Sequence, residues 1–429
     1  MKDSVGVVVT GMEAVSPAGI GVKPLWEAAR DGRSLGGPIT RFDASRNRSQ
    51  IAAEINDFDP IAMGISNCDA ARMDRVTQFC VVLSRRALAD AGLELDRLDP
   101  TRVGVCIGTA IGGVGFMERV FNQVCCFNNG KPRMVEVLPD AVDPNLYAGF
   151  LAHSVSNEVA LDNGLKGVCT TMATGCTAGV DAVGAAADMI AMGLADVIVT
   201  GGADAPLTPI VLTAFDNISC LTRRNDDPRK ASRPFDKERD GFLLAEGAGI
   251  LVLESETFAR ARGARIYGQV LGFASLSNAY HMTGLPADGS ALARTLRRAL
   301  ANARIEPDDV DYINAHGSST QQNDRNETAA FKSVFGERAY DIPISSTKSV
   351  IGHTLGAASA LESIVALCAI QHGIVPPTAN YENPDPVCDL DYVSDGAREG
   401  SLKVVENNAS GFSGIHSSIL FAHPDFAKH

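Results

Sequence analysis

The stretch of sequence that decides the fold runs from residue 164 to residue 205 and reads GLKGVCTTMATGCTAGVDAVGAAADMIAMGLADVIVTGGADA. It opens with a short apolar run that enters a turn at ATGC, and it closes with a β-branched run at 195–205. Between them, residues 177–193 contain no proline, many alanines and apolar residues at helical spacing, and they end at Gly193. The pattern predicts a strand, a turn, a buried helix and a second strand, which together form a βαβ unit.

The second half of the chain repeats this pattern. Two extended runs, IYGQVLGFASLSNA and VDYINAHG, predict strands, and residues 354–372 predict a second buried, alanine-rich helix that is entered from a glycine turn. The turn sequence GCTAG at 175–179 is echoed by GHTLG at 352–356. This echo favours a duplicated α/β fold with two facing helices. We expect the two halves to span residues 1–258 and 259–429.

Composition limits the classes of function. The chain has 429 residues, of which 45% are hydrophobic and only 6% aromatic, and its formal net charge is −13. This excess of acid argues against a general binder of nucleic acid or anionic membranes. The 10 cysteines include no CxxC pair, so we expect reduced thiols rather than a metal site or a disulfide framework. The sequence lacks a run of about 18 apolar residues and opens without a signal-peptide pattern, which predicts a cytoplasmic protein with no membrane span.

Cys176 is the first candidate for chemistry. It lies in ATGCTAG, at the start of the predicted buried helix, where the flanking small residues allow a sharp turn. The amides at a helix N-terminus favour thiolate over thiol, so a cysteine at this position is predicted to be a better nucleophile than one in a strand. The alternative is a small buried hydrophobic residue, an interpretation that fits Cys106, Cys169 and Cys368 well.

Two histidines stand in matching positions. His316 ends the predicted strand VDYINAHG, and His353 lies in the turn GHTLG. Neutral imidazole N–H groups can donate to an anion that develops on a thioester oxygen, so two converging histidines would form a strong oxyanion site. His281 in SNAYHMTGL is a weaker third candidate. Taken singly, each histidine could equally be a hydrogen-bonded structural residue.

Charged residues near these histidines are the next candidates. Lys348 precedes His353 by five residues and is expected to keep the imidazole neutral, with Glu327 or Glu362 as its carboxylate partner. Glu362 lies alone in an apolar helix, where burial would require a partner. Asp324 and Glu327 could also be ordinary acidic residues at a helix N-terminus.

A glycine- and serine-rich segment precedes the last predicted strand. This segment, ENNASGFSGIHSSILF at 406–421, has backbone N–H groups that could complete an oxyanion hole. A tight structural turn accounts for the same composition.

Four motifs in this order, ATGCTAG, NAHGSST, KSVIGHTLGA and SGFSG, resemble the β-ketoacyl synthases of the thiolase superfamily. Four longer stretches are similar to the catalytic ketosynthase subunit of bacterial type II aromatic polyketide synthases. They read RNDDPRKASRPFD, SNAYHMTGL, NAHGSSTQQNDRNETAAFK and VPPTANYENPDPVCDLDYV. The resemblance implies a thiolase fold, in which two duplicated βαβ-type halves form a layered αβαβα sandwich.

The resemblance also implies roles for individual residues. Cys176 would accept the acyl group, His316 and His353 would stabilise the enolate formed on decarboxylation, and Lys348 would support them. The residues behind these groups would be Glu327, Asp324 and Glu362. The entry of the pantetheine arm would be lined by Ser318 and Thr320. The oxyanion hole would be formed by the backbone N–H groups of Cys176 and Ser410. Ser410 stands where fatty-acid elongating synthases have a gating phenylalanine.

The resemblance implies the partners as well. Acyl and malonyl groups would arrive on the phosphopantetheine of an acyl carrier protein, so no cofactor and no metal is expected. The second partner would be a chain-length factor, a ketosynthase-like subunit that lacks the cysteine. An acidic carrier protein requires a local basic surface on this acidic chain, for which Arg72, Arg75 and Arg224 are the candidates.

Two alternatives stay open on sequence alone. The first is a homodimeric fatty-acid elongating synthase, and the second is a catalytically silent subunit that only binds the carrier protein. The presence of Cys176, His316, His353 and Lys348 argues against the silent subunit.

Overall fold

A computed structural model describes residues 5–124, 126–128, 131–133 and 142–427. The strands are Val7–Ser16 (β1), Gly19–Ile20 (β2), Gly37–Pro38 (β3), Ile51–Ala52 (β4), Val103–Gly108 (β5), Cys126–Asn128 (β6), Lys131–Arg133 (β7), Cys169–Met172 (β8), Val197–Asp204 (β9), Gly247–Ser255 (β10), Gly268–Ser277 (β11), Tyr312–Asn314 (β12), Ile344–Ser345 (β13), Ile374–Val375 (β14), Arg398–Glu399 (β15), Val404–Ser410 (β16) and Ile415–Ala422 (β17). The α-helices are Val22–Arg30 (α1), Asn67–Arg72 (α2), Arg75–Asp90 (α3), Val114–Val124 (α4), Leu146–Phe150 (α5), Ser154–Asn163 (α6), Ala178–Ala191 (α7), Pro209–Asn217 (α8), Glu256–Ala261 (α9), Ser290–Ala303 (α10), Gln321–Phe335 (α11), Lys348–Ile351 (α12) and Ala358–His372 (α13).

The main sheet contains the same strand arrangement twice. Its order is β13-β12-β16-β17-β11-β1-β10-β9-β5-β8, with β2 paired to β1. In the first half β5 runs parallel to β8 and β9, and in the second half β12 runs parallel to β13 and β16. The other main strands pair antiparallel in both halves, and residues 7–9 of β1 join residues 268–270 of β11. This repetition confirms the predicted duplication.

Helices form three layers around the two halves of the sheet. The central layer is α7 and α13, and each of these helices packs against strands of both halves. One outer layer contains α3 and α6 on the first half, and the other contains α10 and α11 beside the second half. The result is an αβαβα sandwich of the thiolase type, as predicted. The predicted boundary between halves, 258/259, falls inside α9.

Small residues allow the two central helices to approach closely. A Cβ atom added to Gly179 on α7 would lie 2.8 Å from the carbonyl oxygen of Gly356 and 2.7 Å from the amide nitrogen of Ala360 on α13. Real Cβ atoms do not approach other atoms so closely, so this crossing needs glycine. The low aromatic content of the chain agrees with a core that is packed through such contacts.

The segment Leu355–His372 is long and apolar enough to cross a membrane by length and composition, although no such run was expected from the sequence. It is 89% buried inside the protein. Because a buried apolar helix at the centre of a sandwich is a core element, this segment carries no indication of a membrane span.

Candidate active site

The nucleophile turn is held from behind by one carboxylate. Cys176 lies in the 3-10 turn Gly175–Thr177, immediately before α7, and Gly175 adopts a left-handed φ of 69° that favours glycine. The Asp181 carboxylate on α7 accepts hydrogen bonds from the hydroxyls of Thr174, Thr177 and Ser417. These bonds fix the turn to its own helix and to β17.

One pocket contains the sulfur and both predicted histidines. Cys176, His316 and His353 line it together, with the predicted pantetheine residues Ser318 and Thr320. The hydroxyls of Ser318 and Thr320 lie 2.9 Å apart. The structure therefore gathers into one pocket five residues that are separated by up to 177 positions in the sequence.

The thiol is protonated at neutral pH. Burial raises the pKa of Cys176 to about 11, and the cationic Lys348 and the backbone N–H of Phe412 oppose this rise only in part. Burial raises the pKa of Cys106 on strand β5 further, to about 12, so the thiolate is less disfavoured at Cys176 than in that strand.

Alkylation of Cys176 by iodoacetamide is expected to accelerate about tenfold per pH unit from pH 7 to pH 10, because the thiolate fraction rises until the pH reaches the pKa. The rate is measured by mass spectrometry of the Cys176 peptide, and Cys176→Ala provides the background. A rate that levels off near pH 8.5, as for an ordinary thiol, would contradict the raised pKa.

The two imidazoles meet edge to face. The ring centroids of His316 and His353 are 5.3 Å apart with an interplanar angle of 80°. The backbone N–H of Leu355 donates to Nδ1 of His353 at 3.2 Å, so the proton of the neutral ring resides on Nε2. Burial lowers the pKa of both histidines well below the usual 6.5, and Lys348 adds to the effect. Both rings are therefore neutral hydrogen-bond donors at pH 7.

A buried ion pair supports His316 through its backbone. Lys348 Nζ donates to the carbonyl oxygen of His316 at 2.7 Å and lies 2.5 Å from Oε1 of Glu362. Of the two carboxylates predicted as partners of Lys348, Glu362 is the one that pairs with it. Glu327 instead accepts the backbone N–H groups of His316, at 2.6 Å, and Gly317, at 2.8 Å. Both carboxylates therefore fix the histidine strand end rather than contact the pocket.

Asp324 has a different function from that of Glu327. It is fully buried, accepts the backbone N–H of Phe235 at 2.8 Å and pairs with Arg239 at 3.2 Å. Asp324 therefore anchors the charge-rich segment 223–241 and does not line the pocket.

The backbone N–H of Ser410 stays the predicted second oxyanion donor, beside that of Cys176. The backbone N–H of Phe412, in the turn Phe412–Gly414, also lowers the pKa of the Cys176 thiol. Ser410 lines the pocket as the last residue of β16, and its hydroxyl bonds to Nδ1 of His416 at 2.9 Å. Phe412 and Phe215 both line the pocket at this loop, and their ring centroids are 6.4 Å apart.

Asp204 is a site residue that sequence reasoning missed. It is fully buried at the end of β9, and its carboxylate accepts the backbone N–H groups of Ala110, Ile111 and Gly356 and the hydroxyl of Thr109. It thereby ties the loop after β5 to the histidine turn, behind Cys176. The sequence feature that could have identified Asp204 is its position in GGADA, at the end of a predicted strand.

Four further predicted residues also lie outside the pocket. His281 is exposed, and its Nδ1 accepts the backbone N–H groups of a local turn. Arg72 and Arg75 pair with glutamates whose side chains are 6% and 0% exposed, which marks both arginines as structural. Arg224 donates to a glutamate at 3.3 Å and to its carbonyl oxygen. The predicted docking surface has no free cation among these three arginines.

Comparison with known families agrees with this geometry. The N-terminal domain model of the β-ketoacyl synthases matches residues 5–259, and the C-terminal domain model matches residues 267–382. The chain therefore belongs to the β-ketoacyl synthase family and is a condensing acyltransferase.

Individual relatives narrow the assignment. The chain is 48% identical to the tetracenomycin polyketide synthase ketoacyl synthase alpha subunit of Streptomyces glaucescens, over 97% of both chains. It is 47% identical to the granaticin polyketide putative β-ketoacyl synthase 1 of Streptomyces violaceoruber, over 98% of this chain and 99% of the relative. It is thus a ketosynthase of the type II polyketide alpha group.

Solved structures give the same result. One neighbour is a type II polyketide synthase acyl-carrier protein in complex with its ketosynthase, with a TM-score of 0.91, 38% identity and coverage of 99% of this chain and 100% of that chain. A second is the ishigamide ketosynthase/chain length factor, with a TM-score of 0.89, 37% identity and coverage of 98% and 99%.

Proposed function

We propose that this enzyme uses Cys176, His316 and His353 to join a malonyl-derived unit to a cysteine-bound acyl chain by decarboxylative Claisen condensation. The observation that carries the proposal is the convergence of one thiol and two neutral imidazoles in a single pocket. Each group has a distinct task in such a reaction, because condensation needs a covalent acyl acceptor and donors for an enolate oxygen.

The first stage is acyl transfer. The Cys176 sulfur attacks the thioester carbonyl, its proton passes to the departing pantetheine sulfur, and the oxygen carries negative charge in the tetrahedral intermediate. The backbone N–H groups of Cys176 and Ser410 donate to that oxygen, and both residues line the pocket.

The second stage forms the carbon–carbon bond. Loss of carbon dioxide from the malonyl thioester leaves an enolate, whose oxygen accepts hydrogen bonds from His316 and His353. The enolate carbon attacks the carbonyl carbon of the acyl chain. The bond between this carbonyl carbon and the Cys176 sulfur then breaks, and the Cys176 thiolate regains a proton. The acyl and malonyl groups arrive on phosphopantetheine, and the reaction needs no cofactor of its own.

The pantetheine arm reaches the sulfur past Ser318 and Thr320. Thr320, Gln322 and Phe412 line both the catalytic pocket and an adjoining cavity that opens beside Gly241. This continuity supports an entry channel for a long, thin arm.

Replacing either histidine with alanine is expected to slow malonyl decarboxylation on the order of 10²-fold or more, because one enolate donor is lost. Acyl transfer to Cys176 is expected to persist, which mass spectrometry of the protein measures. His423→Ala, in a partly exposed residue near the C-terminus, is the matched control.

The pKa values of His316 and His353 lie well below 6.5, so the parent enzyme should keep its rate of malonyl decarboxylation from pH 7 to pH 6. A loss of rate that follows a pKa near 6.5 would contradict neutral buried rings.

We infer that the partners are an acyl carrier protein and a ketosynthase-like subunit without the cysteine. The solved complexes of similar ketosynthases support both. Strand β8 lies at one end of the main sheet, and its Cys169 is exposed, so this edge is available for a second subunit. We also infer a cytoplasmic enzyme, because eight of the cysteines that the structure describes are free thiols.

The alternative function is fatty-acid elongation, because the chain is also 41% identical to a 3-oxoacyl-[acyl-carrier-protein] synthase 2 of Synechocystis. A reconstitution experiment distinguishes the two functions. The purified chain is incubated with malonyl carrier protein, alone and with the cysteine-lacking subunit. We expect chain extension only in the second mixture, and efficient extension by the chain alone would indicate a homodimeric elongating enzyme.

A further inference from the structure

A second cleft lies at the opposite end of α13 from the active site. The helix begins beside the histidine turn and ends at His372, about 22 Å away at 1.5 Å per residue. The cleft at that end has a volume of about 650 Å³, which is within the usual range of about 300–1,000 Å³ for small-molecule sites. Its walls share no residue with the catalytic pocket.

Aromatic rings form one part of this cleft. Trp26 stacks on His372 with ring centroids 5.2 Å apart and an interplanar angle of 9°. Trp26 and Tyr267 are buried, with exposed fractions of 5% and 8%, and the Arg265 guanidinium lies 4.2 Å from the centroid of the Tyr267 ring. His372 is exposed, so the face of its ring away from Trp26 is the flat surface that a planar aromatic ligand can reach.

Cations surround these rings. Lys23, Arg30 and Arg265 line the cleft, against one acidic residue, Glu27. The net charge of the chain is −13, so an excess of cationic over acidic residues in one cleft differs from the charge of the chain as a whole. Arg30 pairs with Asp31 at 2.8 Å and Lys23 pairs with Glu27 at 3.8 Å. Among the residues that the structure describes, no carboxylate forms an ion pair with Arg265. The Arg265 guanidinium, which is also exposed, is free to accept an anion.

We propose that this cleft binds a planar aromatic anion, with its ring on the exposed His372 and its negative group on Arg265. A nucleotide and a polycyclic aromatic carboxylate share this chemistry. Binding here is separate from catalysis, because the cleft and Cys176 lie at opposite ends of α13.

The chain provides its own probe of the cleft, because Trp26 is its only tryptophan. We would titrate the full-length protein with adenosine 5′-monophosphate and with 2-naphthoate, following Trp26 fluorescence and calorimetry. Adenosine and 2-naphthalenemethanol are the uncharged controls, and Trp26→Phe gives the optical background. Saturable binding of either anion, at least tenfold tighter than its uncharged control, is expected; the anion that binds identifies the source.

Two variants and one modification decide the location. Arg265→Ala should weaken binding at least tenfold, whereas Arg46→Ala, in an exposed arginine outside the cleft, should leave it unchanged. Alkylation of Cys176 should also leave binding unchanged. The proposal is overturned if neither anion binds at millimolar concentration, if the uncharged controls bind equally well, if Arg265→Ala has no effect, or if alkylation of Cys176 abolishes binding.

Discussion

Cys176→Ala is expected to abolish both acyl loading and chain extension, with a loss of activity on the order of 10³-fold or more. Cys176 is the only cysteine among the residues described in the pocket, so no other thiol can hold the acyl chain in reach of the enolate. Acylation is measured by mass spectrometry after incubation with an acyl thioester, and extension by product formation from malonyl carrier protein.

Two further variants make this result specific. Cys68→Ala removes an exposed thiol on α2 and should leave loading and extension unchanged. Cys176→Gln should retain malonyl decarboxylation without condensation, because the histidines remain while the acyl acceptor is lost. Extension by Cys176→Ala at near the parent rate would remove Cys176 from the mechanism.

Lys348→Met is expected to lower the free energy of unfolding by about 3–5 kcal/mol, because it leaves the fully buried carboxylate of Glu362 without its cation. The double variant Lys348→Met/Glu362→Met should recover most of this loss, since a buried ion pair and an apolar pair of similar volume have similar stability. Condensation should stay low in both variants, because the His316 carbonyl has lost its donor.

Denaturant unfolding measures the stability of each variant. The exposed pair between Arg97 and Glu94, at 2.7 Å, is the matched control, and Arg97→Met should cost less than about 1 kcal/mol. If Lys348→Met proved as stable as the parent, the buried pair would not support the site. Full activity in the double variant would show that Lys348 acts only on stability.

The sequence was sufficient to predict that Cys176, His316 and His353 lie together, because these residues stand in short motifs at turns. Cys176 in GCTAG and His353 in GHTLG follow extended runs and precede apolar helices, and such positions meet at one end of an α/β layer. The repeated turn also predicted the duplication that the strand order confirms.

The contacts behind those groups could not be predicted from sequence, because they depend on distances across the sandwich. Glu327 and Glu362 were equal candidates for Lys348, and only the packing of α13 against the histidine strand selects Glu362. The raised pKa of the Cys176 thiol could not be predicted, because the degree of burial is not visible in a local motif.

The close crossing of α7 and α13 at Gly179 has an evolutionary consequence. The two halves share one architecture, and their equivalent turns carry Cys176 in the first half and His353 in the second. Those turns begin the two helices that cross at Gly179, so a mutation that shifts one turn also shifts the other. The sequences of the two halves have therefore diverged under a shared constraint.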